Sequence, residues 1–192
     1  MRIISGTARG LHLEVPRGEI RPTMDMVRGA IFSSLGEAVI NARVLDLFAG
    51  CGSFGIEALS RGAASATFVE SNRKHTAAIT KNLAHTRLEG HIICSDVFSY
   101  IERASQNSQH SQSSQPPQFD LIFADPPYAK YAANRDYIAE LCALSTLPCL
   151  LAPNGTLILE CEPQQPHATP HDLTLLSEKR YGKTAIRYYI HQ

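Results

Sequence analysis

The sequence predicts an α/β protein: a mostly parallel sheet with helices on both faces, closed by an antiparallel C-terminal hairpin and preceded by a small N-terminal hairpin-and-helix extension. Three observations lead there. From Ala42 onward, short apolar runs alternate with helix-period segments, the pattern of consecutive βαβ units. The first run opens into Gly50-Cys51-Gly52-Ser53-Phe54-Gly55, a glycine-rich turn placed between a strand and a helix. The chain ends in two strand-like runs around Tyr181-Gly182-Lys183.

Each element has a local reason. Arg2–Ser5 and Leu11–Val15 read as a hairpin around Gly6-Thr7-Ala8-Arg9-Gly10, and Pro16 and Gly18 break it. Thr23 is placed to cap a helix whose apolar face is Val27, Ile31 and Leu35, with Gly36 as its stop. Residues 1–41 thus form the extension and 42–192 the core. In the core, strands are expected at Val44–Phe48, Ala66–Val69, Ile92–Cys94, Leu121–Ala124 and Thr156–Leu159. Helices are expected at Ile56–Arg61, Asn72–Ala84, Val97–Ala104 and Asp136–Leu144. The turn Pro153-Asn154-Gly155 introduces the fifth strand, and Leu173–Ser177 and Ala185–Ile190 pair at the edge to make seven strands in all. Ser105–Gln118 holds five Ser, five Gln and two Pro with no Asp, Glu, Lys or Arg, which predicts a flexible loop.

Composition narrows the class. A chain of 192 residues with 44% apolar and 19% charged residues is sized for one substantial enzyme-like domain. No apolar run reaches membrane-spanning length, and the first residues lack a secretory signal, so no membrane partner is expected. Five cysteines without a C-x-x-C pair read as reduced thiols of a cytoplasmic protein. A formal net charge of zero disfavours a protein that coats nucleic acid non-specifically. The arginines at 2, 9, 17, 21 and 28 leave the first 28 residues slightly basic, which reads as a solvated surface that permits RNA contact. His167 and His171 have H-x3-H spacing but lack a third ligand, so no metal is expected.

The chemistry concentrates at two places. Asp125-Pro126-Pro127-Tyr128 follows a buried-strand signal, and the prolines fix an extended, stiff turn with few N–H donors. A carboxylate, the carbonyls beside the prolines and an aromatic face suit a flat ring with an exocyclic amine, which describes a nucleobase. The glycine loop fits the dinucleotide fingerprint, with Glu70 twenty residues after Gly50 for ribose hydroxyls. Asp46, four residues before Gly50, argues against a pyrophosphate and for an ammonium and a sulfonium. Asp96 can receive an adenine amine or simply cap the next helix. One acid after each of strands one to four, namely Asp46, Glu70, Asp96 and Asp125, makes a row along the carboxyl edge where such sheets bind ligands. S-adenosylmethionine fits that row best.

Met1-Arg2-Ile3-Ile4-Ser5-Gly6, Arg21-Pro22-Thr23, Val27-Arg28, Asp46-Leu47-Phe48-Ala49-Gly50, Glu57-Ala58-Leu59-Ser60-Arg61-Gly62-Ala63, Asp125-Pro126-Pro127-Tyr128 and Arg180-Tyr181-Gly182 together resemble the RsmD-type methyltransferases. The resemblance implies a Rossmann-like class I methyltransferase fold that moves a methyl from S-adenosylmethionine to the N2 amine of one guanine in 16S ribosomal RNA, within the small subunit. It implies a monomer whose residues 1–41 cover the RNA and the cofactor. Its cofactor set comprises Asp46, Phe48, Gly50, Gly52 and Glu70, together with Ser71, Asp96 and Val97, with Thr23 and Arg28 closing the site. Asp125, the Pro126 carbonyl and Tyr128 carry the reaction. Met24, Met26 and the Ser/Gln tract depart from the pattern and remove no reacting group.

A DNA amino-methyltransferase shares the tetrapeptide, but forty residues ahead of the core are few for reading a duplex. Asp46 disfavours a nicotinamide dehydrogenase. A protein glutamine methyltransferase usually begins its Pro-Pro-Tyr loop with Asn. A non-catalytic RNA-binding assembly factor that keeps the cofactor pocket is the alternative from another class.

Overall fold

The computed structural model describes residues 1–16, 24–110, 118–127, 135–166 and 168–191. Thr23, Tyr128, His167 and residues 111–117 of the Ser/Gln tract lie outside them. The seven strands of the mixed sheet divide three and four between two compact units, Met1–Val97 and Phe98–Gln192.

In the first unit α1 spans Met24–Leu35 and runs into a 3-10 turn, Gly36–Val39. Val27 and Ile31 are buried, as their spacing predicts. Then come β1 (Arg43–Leu47), α2 (Ser53–Ser60), β2 (Ser65–Glu70), α3 (Arg73–Thr86) and β3 (His91–Cys94). The strands lie parallel in the order β3-β2-β1, with Val44 opposite Ala66 and Phe68 opposite Ile92. Gly55 explains how closely α2 sits on β2: a Cβ there would lie 2.3 Å from the Phe68 ring. The N-terminal hairpin is thinner than expected. Its one ladder bridge, Arg2 to His12, is made by the Leu13 amide on Met1 carbonyl and the Ile3 amide on Leu11 carbonyl, and the Gly10 amide donates to Ile3 carbonyl beside it. Its stability comes from side chains of α2 and α3 instead of from strand pairing.

The second unit holds α4 (Val97–His110, which starts at the last residue of the first unit), β4 (Phe119–Ala124), α5 (Tyr137–Ala143), β5 (Leu151–Cys161), β6 (Leu173–Tyr181) and β7 (Thr184–His191). Its strand order is β4-β5-β7-β6: β4 and β5 are parallel, and β7 is antiparallel to both β5 and β6. The C-terminal hairpin is therefore as predicted.

Two expectations need correction. The Ser/Gln tract is helical as far as His110, because Gln and Ser cost a helix little and no Pro or Gly intervenes before Pro116. Ser105 hydroxyl donates back to Glu102 carbonyl at 2.8 Å, within the helix. Pro153-Asn154-Gly155 does not precede β5 but interrupts it. Between Leu151 and Thr156 the strand advances five residues while β4 advances two, from Phe119 to Leu121, so the turn bulges out of the ladder. Asn154 takes a φ of 63°, which Asn tolerates.

Arg187 organises this unit's interior. It is 0% exposed, bonded to Glu178 at 2.9 Å and to the carbonyls of Pro166 (3.1 Å) and Gln165 (2.6 Å). Gln165 in turn donates to Asp136, which caps α5 through the amides of Ile138 and Ala139. Among the described residues no helix is long and apolar enough to cross a membrane.

Candidate cofactor-binding site

The glycine loop joins β1 to α2, and its backbone is pinned at both ends by acids. Gly52 sits at the helix N-cap with φ 82°, a left-handed conformation that a side chain would strain. It has no side chain with which to cap α2, so the first-turn amides need another acceptor. Asp46 supplies it from β1: its Oδ2 accepts the Gly55 amide at 2.9 Å. Asp46 is only 2% exposed, and burial pushes its carboxyl from 3.8 up to about 8; the Gly55 bond opposes that rise and the Glu70 charge adds to it. The expected row of acids is corrected here. Asp46 does not follow strand one but lies inside β1, one residue before its end.

Glu70 is the last residue of β2 and grips the loop from the other side. Its Oε2 accepts Gly50 amide at 2.9 Å, and its Oε1 accepts Asn72 amide at 2.7 Å and Ser71 hydroxyl at 3.4 Å. Oε2, with a single bond, keeps lone-pair capacity for a ribose hydroxyl, whereas Oε1 already accepts two. His75 Nδ1 lies 3.7 Å from Oε1. Asn72 caps α3 through the Lys74 amide, which fixes where β2 ends.

Phe48, between these acids, has φ 56° and is half-buried. A bulky residue in the left-handed region costs about 1–3 kcal/mol, a strain found mostly at ligand sites. Ser71 is exposed after β2; Asp96 is exposed and directly precedes α4, and Val97 is buried at that helix's first position. Within the first unit Asp46, Phe48, Gly50, Gly52, Glu70 and Ser71 therefore converge on one loop.

Arg28 is placed differently from the solvated charge its sequence context suggests. It is 1% exposed, with Nη2 donating to Arg2 carbonyl at 2.6 Å and to Asp25 at 2.9 Å, and Nε 3.7 Å from Glu57. Glu57, 0% exposed, accepts the amides of Ile4 (2.8 Å) and Ser5 (3.1 Å) and pairs with Arg61 at 2.7 Å. Ser60 accepts Ala8 amide through its hydroxyl and Thr7 amide through its carbonyl. One turn of α2 thus receives the N-terminal segment. Sequence reading gave Glu57, Ser60 and Asn82 no role. For Asn82 a signal existed: it occupies the buried stripe of α3 with Ala78, Ile79, Leu83 and Thr86.

In the second unit Asp125 is the first residue beyond β4 and is half-buried; Pro126 is buried and Pro127 exposed. Nearby in sequence, Arg135 stacks over the rings of Phe98 and Tyr137 at 4.4 and 4.8 Å and pairs with Glu140. Among the described residues, no group of three or more His, Cys, Asp or Glu could hold a metal ion.

The donor set around the loop tests the cofactor directly. Two acidic side chains accept amides of its backbone, which suits ribose hydroxyls and a cationic ligand better than a pyrophosphate.

The family described as "Conserved hypothetical protein 95" matches residues 1–190. The chain is similar to ribosomal RNA small subunit methyltransferase D of Haemophilus influenzae, 35% identical over 98% of this chain and 93% of the relative. It is also similar to the solved Escherichia coli protein yhhF, with TM-score 0.79, 32% identity, and coverage of 100% of this chain and 98% of that one. A Thermus thermophilus 16S rRNA N2 methyltransferase (RsmC), solved with AdoMet and guanosine, shares the fold at TM-score 0.58 and 18% identity, over 92% of this chain and 44% of that one.

Proposed function

The chain belongs to the conserved hypothetical protein 95 family, the RsmD-type methyltransferases, and from that premise we propose that it transfers a methyl group from S-adenosylmethionine to the N2 amine of one guanine in 16S ribosomal RNA of the small subunit. The observation that carries this reading is the glycine loop, with Glu70 on Gly50 and Asp46 on Gly55, a backbone cradle lined by acids.

S-adenosylmethionine supplies a methyl already activated on a sulfonium. The protein's work is therefore alignment and charge stabilisation. Glu70 receives the ribose hydroxyls, Asp96 the adenine amine and Asp46 the ammonium, while Phe48, Gly50, Gly52, Ser71 and Val97 shape the seat. Thr23 and Arg28 close the site, Arg28 by holding α1 to the Arg2 carbonyl of the N-terminal segment and to Glu57. Asp125 and the Pro126 carbonyl accept the two hydrogens of the guanine amine, which favours pyramidal nitrogen and stabilises the positive charge that develops there. Asp125 then takes the released proton. Tyr128 stacks on the flipped base, an interaction worth roughly 1–3 kcal/mol. Residues 1–41 contact RNA and cover the cofactor, and the enzyme works as a monomer.

The test is Asp125→Ala. It abolishes methyl transfer to small-subunit RNA while cofactor affinity stays within a few fold of the parent. Undiminished transfer would remove Asp125 from the mechanism. Retained binding with no transfer by the parent protein, on any RNA, would favour the assembly factor.

A further inference from the structure

We propose that Asn82 is a positioning residue that ties the N-terminal segment to the glycine loop, so that residue 14 and the cofactor seat respond to each other. The proposal deepens the reading above and rests on it for the ligand.

Asn82 is 2% exposed on α3. Its Oδ1 accepts Glu14 amide at 2.7 Å and its Nδ2 donates to Glu14 carbonyl at 3.0 Å. The carboxamide therefore pairs with the backbone of residue 14 as a neighbouring strand would. The second Nδ2 hydrogen goes to the Cys51 carbonyl at 3.0 Å. These three partners fix the amide's orientation, since an oxygen must face the Glu14 amide and a nitrogen must face both carbonyls.

The Cys51 carbonyl belongs to the same peptide plane as the Gly52 amide, and that amide donates to Ala49 carbonyl at 2.7 Å. Asn82 and Ala49 thus hold opposite edges of one plane in the middle of the loop. Releasing the Asn82 edge lets this plane tilt, which moves the Gly52 amide at the N-cap of α2. Residue 14 has no other buried anchor among the bonds described: its side chain makes an exposed pair with Lys81, an interaction worth little. Because both bonds of residue 14 and the bond of the loop share one carboxamide, ordering either end favours the other, and the coupling is reciprocal.

Two substitutions test this from opposite ends. Asn82→Asp is isosteric, keeps the acceptor for Glu14 and loses both donors. Glu14→Pro removes the amide of residue 14, together with its exposed pair to Lys81, and changes no atom of Asn82 or the loop. S-adenosylmethionine affinity is measured by calorimetry, and amide hydrogen exchange at Gly52 is followed without cofactor. Asn82→Asp weakens cofactor binding about tenfold, as expected for carbonyls stripped of buried donors. Glu14→Pro weakens it in the same direction, and the double variant is no worse than Asn82→Asp alone. At saturating cofactor, kcat stays within about twofold, so the loss is in KM. Gly52 exchanges faster in both variants before any ligand is added. Unchanged Gly52 exchange in Glu14→Pro overturns the coupling whether or not the parent binds cofactor. A parent that binds no S-adenosylmethionine, with Gly52 exchange still accelerated, overturns the proposed function and leaves the coupling standing.

Discussion

Asp46 gives the first unit a measurable pH dependence. Its carboxyl is raised from 3.8 to about 8, chiefly by burial. The folded state therefore keeps a proton that the unfolded chain releases near pH 4. Stability from this group is fully present below the unfolded value and is lost as pH rises through the folded value. The two values differ by about four pH units, each worth 1.36 kcal/mol, so by pH 7 the chain has given up about 4 kcal/mol relative to pH 3. Asp46→Asn removes the titration and keeps a carbonyl oxygen for the Gly55 amide. Urea unfolding of parent and variant between pH 4 and pH 9 reads the difference. The variant gains on the parent steadily up to about pH 8, then runs parallel to it. Parallel curves across the whole window would falsify a buried, protonated Asp46. The same proton affects ligand binding: an ammonium beside Asp46 expels it, so cofactor affinity in the parent rises with pH toward 8 and is weak at every pH in Asp46→Asn.

Gly55→Ala puts a methyl into the Phe68 ring and costs about 1–3 kcal/mol by urea midpoint; adding Phe68→Leu recovers part of the loss, and full additivity would contradict the clash. Glu57→Gln leaves Arg28 without its buried counter-charge and costs about 3 kcal/mol or more, with faster amide exchange at Ile4 and Ser5. Arg187→Met leaves the Gln165 and Pro166 carbonyls without their donor and Glu178 with Arg180 alone, and loses about 2 kcal/mol or more at neutral pH. The hydrogen bond from Arg187 holds the Glu178 carboxyl below its ordinary 4.5, so that pair's stability is present above that value and drains away on acidification. A parent and an Arg187→Met variant with equal acid sensitivity would contradict the pairing.

Much of this was legible in the chain. Strand and helix alternation located all seven strands, because buried parallel strands must be short apolar runs and Gly50, Gly52 and Gly62 mark the ends of elements. Glu70 announced itself by its twenty-residue spacing from Gly50. What escaped was tertiary. Asp46 reads from sequence as a free acid at a strand end, whereas the fold turns it inward to cap a helix whose own N-cap is a glycine. Arg28 reads as a surface charge, yet Glu57, fifty-odd residues distant from the hairpin amides it binds, makes it a core residue. Asn82 looked like an ordinary helix residue because its partners, Glu14 and Cys51, are brought to it only by folding. The helix running to His110 shows composition losing to propensity: a polar tract without Pro or Gly continues a helix that has already nucleated.

The proposed reaction is methyl transfer to a guanine amine of small-subunit RNA. Its most direct test incubates the protein with methyl-labelled S-adenosylmethionine and undermethylated small subunits, then digests the RNA to nucleosides. Label is expected in N2-methylguanosine at a single position of 16S RNA and absent with Asp125→Ala. Label found only in DNA or in protein, or at a different atom of the base, would contradict it.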